Sequence, residues 1–118
     1  MSKDLKSIVE QKLKNAGVEY RFIPLPENLP LDIASHVAFH GIKMENAMAT
    51  IIYRTEKGFI AAVKRADTQI DQKKLKKLVG VTELVFASPE DLAQLGAEVG
   101  LVPYVGVDIP YYVDAKVL

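Results

Sequence analysis

His36 and His40 stand four residues apart in a stretch with helical periodicity, the spacing at which two imidazoles share one face and can hold a metal. The plainer reading is a surface or capping pair: no acid completes an HExxH pattern, and the chain has no cysteine to add a ligand. The same lack removes thiolate nucleophiles and disulfides. Neither a P-loop nor a GxGxxG fingerprint occurs, and no serine sits in a GxSxG elbow, so neither glycine-loop phosphate binding nor a triad can be built from motifs. Two features remain. Lys73, Lys74, Lys76 and Lys77 crowd one short segment, either a basic surface for an acidic partner or simply a solvated helix face. The stretch GAEVGLVPYVGVDIP, from Gly96 to Pro110, is too irregular for a regular element and too apolar for a linker. Its backbone N–H groups can line a small pocket, although a purely structural loop has the same composition.

The elements that must position these residues are clearest from Ala47 to Gly80. Ala49 to Thr55 and Phe59 to Lys64 are β-branched or apolar runs around Glu56-Lys57-Gly58, which predicts a hairpin. Asp71 can cap a helix with Leu75, Leu78 and Val79 on one face, stopped by Gly80. Before this unit, Ser2 caps a helix carrying Leu5, Ile8, Val9, Leu13 and Ala16, with Gly17 just past its end. Val18 to Ile23 alternates as a strand, the prolines from Pro24 to Pro30 make an irregular loop, and about Asp32 to His40 forms a helix closed by Gly41. After it come a strand from Glu83 to Ala87 and a helix announced by Ser88-Pro89-Glu90-Asp91. The 96–110 loop follows, and the last strand is Tyr111 to Val113, with no terminal helix.

A chain of 118 residues, about half apolar (49%) and a quarter charged (25%), fits a single domain with one core. No apolar run is long enough to span a bilayer and the N-terminus has no signal-peptide core, so a cytoplasmic location is expected, with no membrane partner. The zero net charge conceals polarity. Fourteen lysines or arginines against nine acids leave +5 on residues 1–80, while Lys116 against six acids leaves −5 on residues 81–118.

The order of elements resembles the YbaK-like family of domains associated with prolyl-tRNA synthetase. The residues that carry the likeness are Ala49-Thr50-Ile51-Ile52, the segment Ala66-Asp67-Thr68-Gln69-Ile70-Asp71-Gln72-Lys73-Lys74-Leu75, and the Gly96-to-Gly106 loop followed by Tyr112-Val113-Asp114. The resemblance implies an α/β (α+β) domain spanning 1–118, with a curved, mixed or antiparallel, barrel-like sheet flanked by short helices. It implies a free-standing deacylase that hydrolyses the ester of a mischarged tRNA carrying a small amino acid, without metal or cofactor. Its partner would be the tRNA acceptor end, not DNA. In that reading Gly96, Gly100, Pro103, Tyr104 and Gly106 border the pocket, and Thr50 and Asp114 support it.

Two departures from the family pattern stand out. Editing members carry a lysine where this chain has Ala49, a loss that weakens activity or moves the contact to Lys43, Arg54 or Lys64. The family's Gly-x-x-x-Pro becomes Gly100-Leu101-Val102-Pro103-Tyr104, with Tyr104 in the usual proline position. Alternatives are a module that keeps the pocket without hydrolysis, or a homo-oligomer with no nucleic-acid role. The sequence stops earlier than typical members, and a homodimer with Tyr111 or Tyr112 near its contact is expected.

Overall fold

The computed structural model describes residues 2–23, 26–30, 32–97 and 102–117. Its centre is the predicted hairpin. β1 (Met48–Thr55) and β2 (Gly58–Arg65) pair antiparallel along their whole length, from Met48 opposite Arg65 to Thr55 opposite Gly58. The tight turn is locked by the Thr55 hydroxyl, which donates to the Gly58 carbonyl at 2.7 Å and accepts from the Lys57 N–H at 3.1 Å. β3 (Val85–Phe86) pairs antiparallel with the outer side of β1, and β4 (Tyr111–Val113) runs parallel to β2. The result is a mixed four-stranded sheet in the order β3-β1-β2-β4. It is open, with β3 and β4 as its edges.

Side chains alternate across this sheet and bury two separate clusters. On one face Ile52 and Ala61 meet Leu5 and Val9 of α1 (Lys3–Asn15), Leu92 of α4 (Pro89–Gln94), Ala97 and Val107. On the other, Tyr53, Ile60 and Ala62 meet Leu75 of α3 (Gln72–Val79). The helix starts follow their capping residues. Ser2, Asp71 and Ser88 each accept a hydrogen bond from a first-turn backbone N–H, and Ser88 and Asp91 form a reciprocal capping box. α2 (Ile33–His40) begins at Asp32, whose carboxylate accepts from the Ser35 N–H at 2.7 Å and the Ser35 hydroxyl at 2.8 Å.

Several expectations need correction. Val18 to Ile23 is not a strand. Its alternation reports a half-wet segment but supplies no ladder partner, and Val18, Phe22 and Ile23 are exposed. Its aromatic residues make local contacts instead: Tyr20 meets Phe22 edge-on at 5.7 Å, and Lys6 Nζ lies 5.0 Å from the Phe22 ring centre. The third strand shrinks from residues 83–87 to two. Glu83 is drawn off the ladder because its N–H, like that of Thr82, donates to the Glu56 carboxylate, at 2.9 and 2.8 Å. Leu78 is 71% exposed, since the two-turn α3 reaches the sheet through Leu75. Tyr111 and Tyr112 are half-buried against opposite faces of their own sheet.

Candidate functional site

A cleft of about 410 Å³ opens where α2, the turn after it and the first half of β1 meet the 102–104 segment. α2 contributes a stripe at helical spacing, Ile33, His36, Val37 and His40. β1 contributes Met48 to Ile51, and Val102 and Tyr104 close the third side. Tyr104 fixes that wall by donating its hydroxyl to the Met48 carbonyl at 2.9 Å, and its partial burial pushes the phenol pKa up. A second tether lies behind it. The Tyr111 hydroxyl donates to the Pro103 carbonyl and accepts from the Val107 N–H, both at 3.3 Å, so β4 holds the loop from both sides.

The cleft is mostly apolar, but Asp32, His36, His40, Asn46, Thr50 and Tyr104 also line it. Thr50 Oγ1 and His36 Nε2 are buried and have no hydrogen-bond partner among the described residues. Asp32 at the rim stays ionised well below the usual carboxylate range, because the Ser35 N–H and hydroxyl both donate to it. Among the described residues no group of three or more histidines, cysteines or acids could hold a metal, and His40 is exposed.

Ala49, Thr50 and Tyr104 therefore meet at one cavity. Ala49 sits directly across the hairpin from Lys64, whose ammonium donates to the Thr68 carbonyl at 2.6 Å. Lys43 is exposed on the turn between Ile42 and Asn46, which both line the cleft, with Glu45 4.0 Å away. Arg54 is five residues along β1 from Ala49, roughly 17 Å at strand rise, at the end that pairs with β3. Pro103 lines a neighbouring apolar groove of about 560 Å³, walled by Val9, Leu13, Tyr20 and Phe22. That groove shares Met48, Val102, Tyr104 and His40 with the cleft.

The remaining predicted residues lie elsewhere. Gly96 and Gly106 pack on α1: a Cβ at Gly96 would stand 2.8 Å from Ser2 Oγ, and one at Gly106 would stand 2.7 Å from Val9 Cγ2. Asp114 accepts from the Lys116 N–H and borders a smaller cavity beside α3, on the other face of the sheet. Gly100 lies outside the described residues. Conversely, His36 is a cleft residue that motif reasoning set aside. Its signal was present in the i, i+3, i+4, i+7 stripe that it shares with Ile33, Val37 and His40.

Chemically, the site offers a small, largely apolar container edged by several polar side chains, Asp32, Asn46 and Thr50 among them, with backbone anchored by Tyr104. It presents no carboxylate pair or nucleophile–base dyad among the described residues lining it. Residues 31–118 match the profile of the aminoacyl-tRNA editing domain. The proline–tRNA ligase of Caldicellulosiruptor bescii is 37% identical over 82 residues, 69% of this chain and 14% of that protein. The proline–tRNA ligase of Sulfurihydrogenibium sp. is 30% identical over 77 residues, 64% of this chain and again 14% of the ligase. The chain thus spans about a seventh of the length of these relatives. In shape it matches a solved candidate trans-editing enzyme for prolyl tRNA synthetase, with a TM-score of 0.79 at 24% identity over 100% of this chain and 76% of that one. A hypothetical protein of known structure matches with a TM-score of 0.71 at 23% identity, over 89% and 70%. These two likenesses establish the fold.

Proposed function

The chain belongs to the aminoacyl-tRNA editing domain family, and from that premise we propose that it is an aminoacyl-tRNA deacylase, hydrolysing the ester between a small amino acid and the terminal ribose of a mischarged tRNA. The observation that carries this reading is the cleft at the head of β1, where Thr50 and the Tyr104-anchored wall enclose a space of aminoacyl size. In the proposed reaction a water oxygen bonds to the ester carbonyl carbon, the bond to the ribose oxygen breaks, and the water's protons end on the ribose hydroxyl and in solvent. Because no triad borders the cleft among the described residues, catalysis rests on holding water and ester together and on fixed dipoles around the developing oxyanion. Lys43, exposed at the rim, is the cation best placed for an acceptor-end phosphate. Lys64, beside Ala49, is committed to Thr68. A cytoplasmic location accords with this substrate and with the lack, among the described residues, of a helix long and apolar enough to cross a membrane.

Ala49 favours a second reading, a module that binds the aminoacyl end without turning it over, since the cation expected by resemblance is missing there. Deacylation of a panel of mischarged tRNAs, including alanine on proline tRNA, separates the two. Release of amino acid in proportion to enzyme supports the deacylase; a flat panel at high enzyme concentration refutes it and leaves the module.

A further inference from the structure

Beside the cleft runs the apolar groove of about 560 Å³, and the two share His40, Met48, Val102 and Tyr104 as a common wall. Its own lining has a different character. Val9 and Leu13 of α1 supply an aliphatic side, and Tyr20, Arg21 and Phe22 come from the segment that follows that helix. Tyr20 and Phe22 belong to neither core cluster, Tyr20 is only half-buried, and Arg21 and Phe22 are exposed. The two rings meet edge-on, so neither has an aromatic partner stacked flat on it among the described residues. The charge of the lining has one sign: Arg21 is present and no Asp or Glu is. Lys6 Nζ adds a second cation, 5.0 Å from the Phe22 ring centre. Aromatic rings interleaved with a cation suit a nucleobase, which stacks on rings and on guanidinium planes alike. The groove also falls within the roughly 300–1,000 Å³ of ligand pockets, with room for a purine. An aminoacyl adenosine needs two adjoining spaces, because its ribose carries the ester at one carbon and the base at another.

We propose that this groove is the subsite for the terminal adenine of the tRNA, with the base stacked among Tyr20, Phe22 and the Arg21 guanidinium while the ribose crosses the shared wall at Met48 and Tyr104. The inference rests on the reading of the cleft as the aminoacyl site. Stacking of one base on aromatic side chains favours binding by about fivefold to a hundredfold. That energy comes from a part of the substrate that does not react, and it serves to hold the ester in place over the cleft. Tyr20, Arg21 and Phe22 are binding residues in this scheme and take no part in breaking the ester.

The test uses two non-hydrolysable compounds, titrated into the whole chain by calorimetry and followed by amide chemical shifts. One is the 3′-seryl amide of adenosine, and the other is the same amide on a ribose with hydrogen in place of the base. The adenosine compound is expected to bind about fivefold to a hundredfold more tightly, and the shifts that only it produces should fall at Tyr20, Arg21, Phe22 and Val105. Tyr20→Ala combined with Phe22→Ala should bring the two affinities within about threefold of each other, with the melting temperature reporting that the variant is folded. The shift comparison needs only the native chain, so it decides the matter if the variant does not fold. Equal affinities in the native chain, base-dependent shifts that avoid the groove, no binding of either compound, or an advantage of the base that survives in the folded double variant would each overturn the proposal. The hydrolytic reading fails separately: base-dependent binding in the groove without release of amino acid from any mischarged tRNA defeats the deacylase and leaves the adenine subsite standing. Release of amino acid, with both compounds bound equally and shifting Ala49 and Thr50 alone, does the reverse.

Discussion

Replacing Gly106 by alanine should strongly destabilise the protein while leaving the chemistry of the molecules that remain folded unchanged. Gly106 has φ +109°, a conformation that L side chains rarely adopt, and holding alanine there costs about 1–2 kcal/mol. The new Cβ would also lie 2.7 Å from Val9 Cγ2, closer than real Cβ atoms approach, with Val9 N at 3.5 Å and Leu5 Cδ1 at 3.6 Å. Val9 cannot step aside easily. It is β-branched within α1, where one χ1 rotamer dominates, and it is 6% exposed in the core. Overpacking of this kind costs about 1–3 kcal/mol. The two effects together predict a loss of about 3 kcal/mol, seen in urea titration as a lower midpoint with an unchanged slope, and a fall in melting temperature of roughly 10 °C or more. Adding Val9→Ala should recover the clash but not the backbone strain. A loss below about 0.5 kcal/mol, the range of ordinary surface changes, would refute the packing role of Gly106. A loss of ligand affinity at full stability would return it to the pocket wall.

Three further outcomes can be checked. Glu56 accepts from the Thr82 N–H, the Glu83 N–H and the Thr82 hydroxyl, which lower its pKa from the model-peptide value of 4.5 to about 2. Its contribution to stability is therefore fully present above pH 4.5 and lost as the pH falls toward 2. Glu56→Gln should flatten the acid limb of the melting-temperature profile over that window, and an identical profile would contradict the linkage. Ala49→Lys, which places a lysine directly opposite Lys64, should increase the steepness of the salt dependence of tRNA binding by roughly one unit and lower the melting temperature slightly through cross-strand repulsion. An unchanged salt slope in the folded variant would remove this position from the RNA contact. Tyr104→Phe removes the hydroxyl tether to the Met48 carbonyl and should weaken binding of a non-hydrolysable 3′-aminoacyl amide of adenosine several-fold, with a stability loss of about 1 kcal/mol; undiminished affinity would show that the wall holds without it.

The hairpin and α3 are legible because local signals agree: β-branched runs flank a glycine-containing turn, and Asp71 and Gly80 bracket the helix. α4 is legible for the same reason, through its capping box. Long-range relations are not. Val18–Ile23 has the pattern of a strand without a neighbour to pair with, and nothing local states that Tyr111–Val113 runs parallel to β2. The Glu56 carboxylate reaches residues 26 and 27 positions later, a contact that no periodicity encodes. Site residues divide in the same way. Ala49, Thr50 and Tyr104 gather at the cleft, while Gly96 and Gly106, which read as pocket glycines, serve the approach of the chain to α1. His36 escaped because a histidine pair is judged first as a metal site, and the helical stripe it shares with Ile33 and Val37 carries the more useful information.

The most direct test of the cleft at the head of β1 as the aminoacyl site is amide chemical-shift mapping with the 3′-seryl amide of adenosine. Binding at this site predicts saturable shifts at Ala47, Ala49, Thr50, His36 and Tyr104, and none at Leu75 or Tyr112, which border the cavity on the opposite face of the sheet. Shifts centred on Leu75, Tyr112 and Asp114, with Ala49 and Thr50 unmoved, would contradict it.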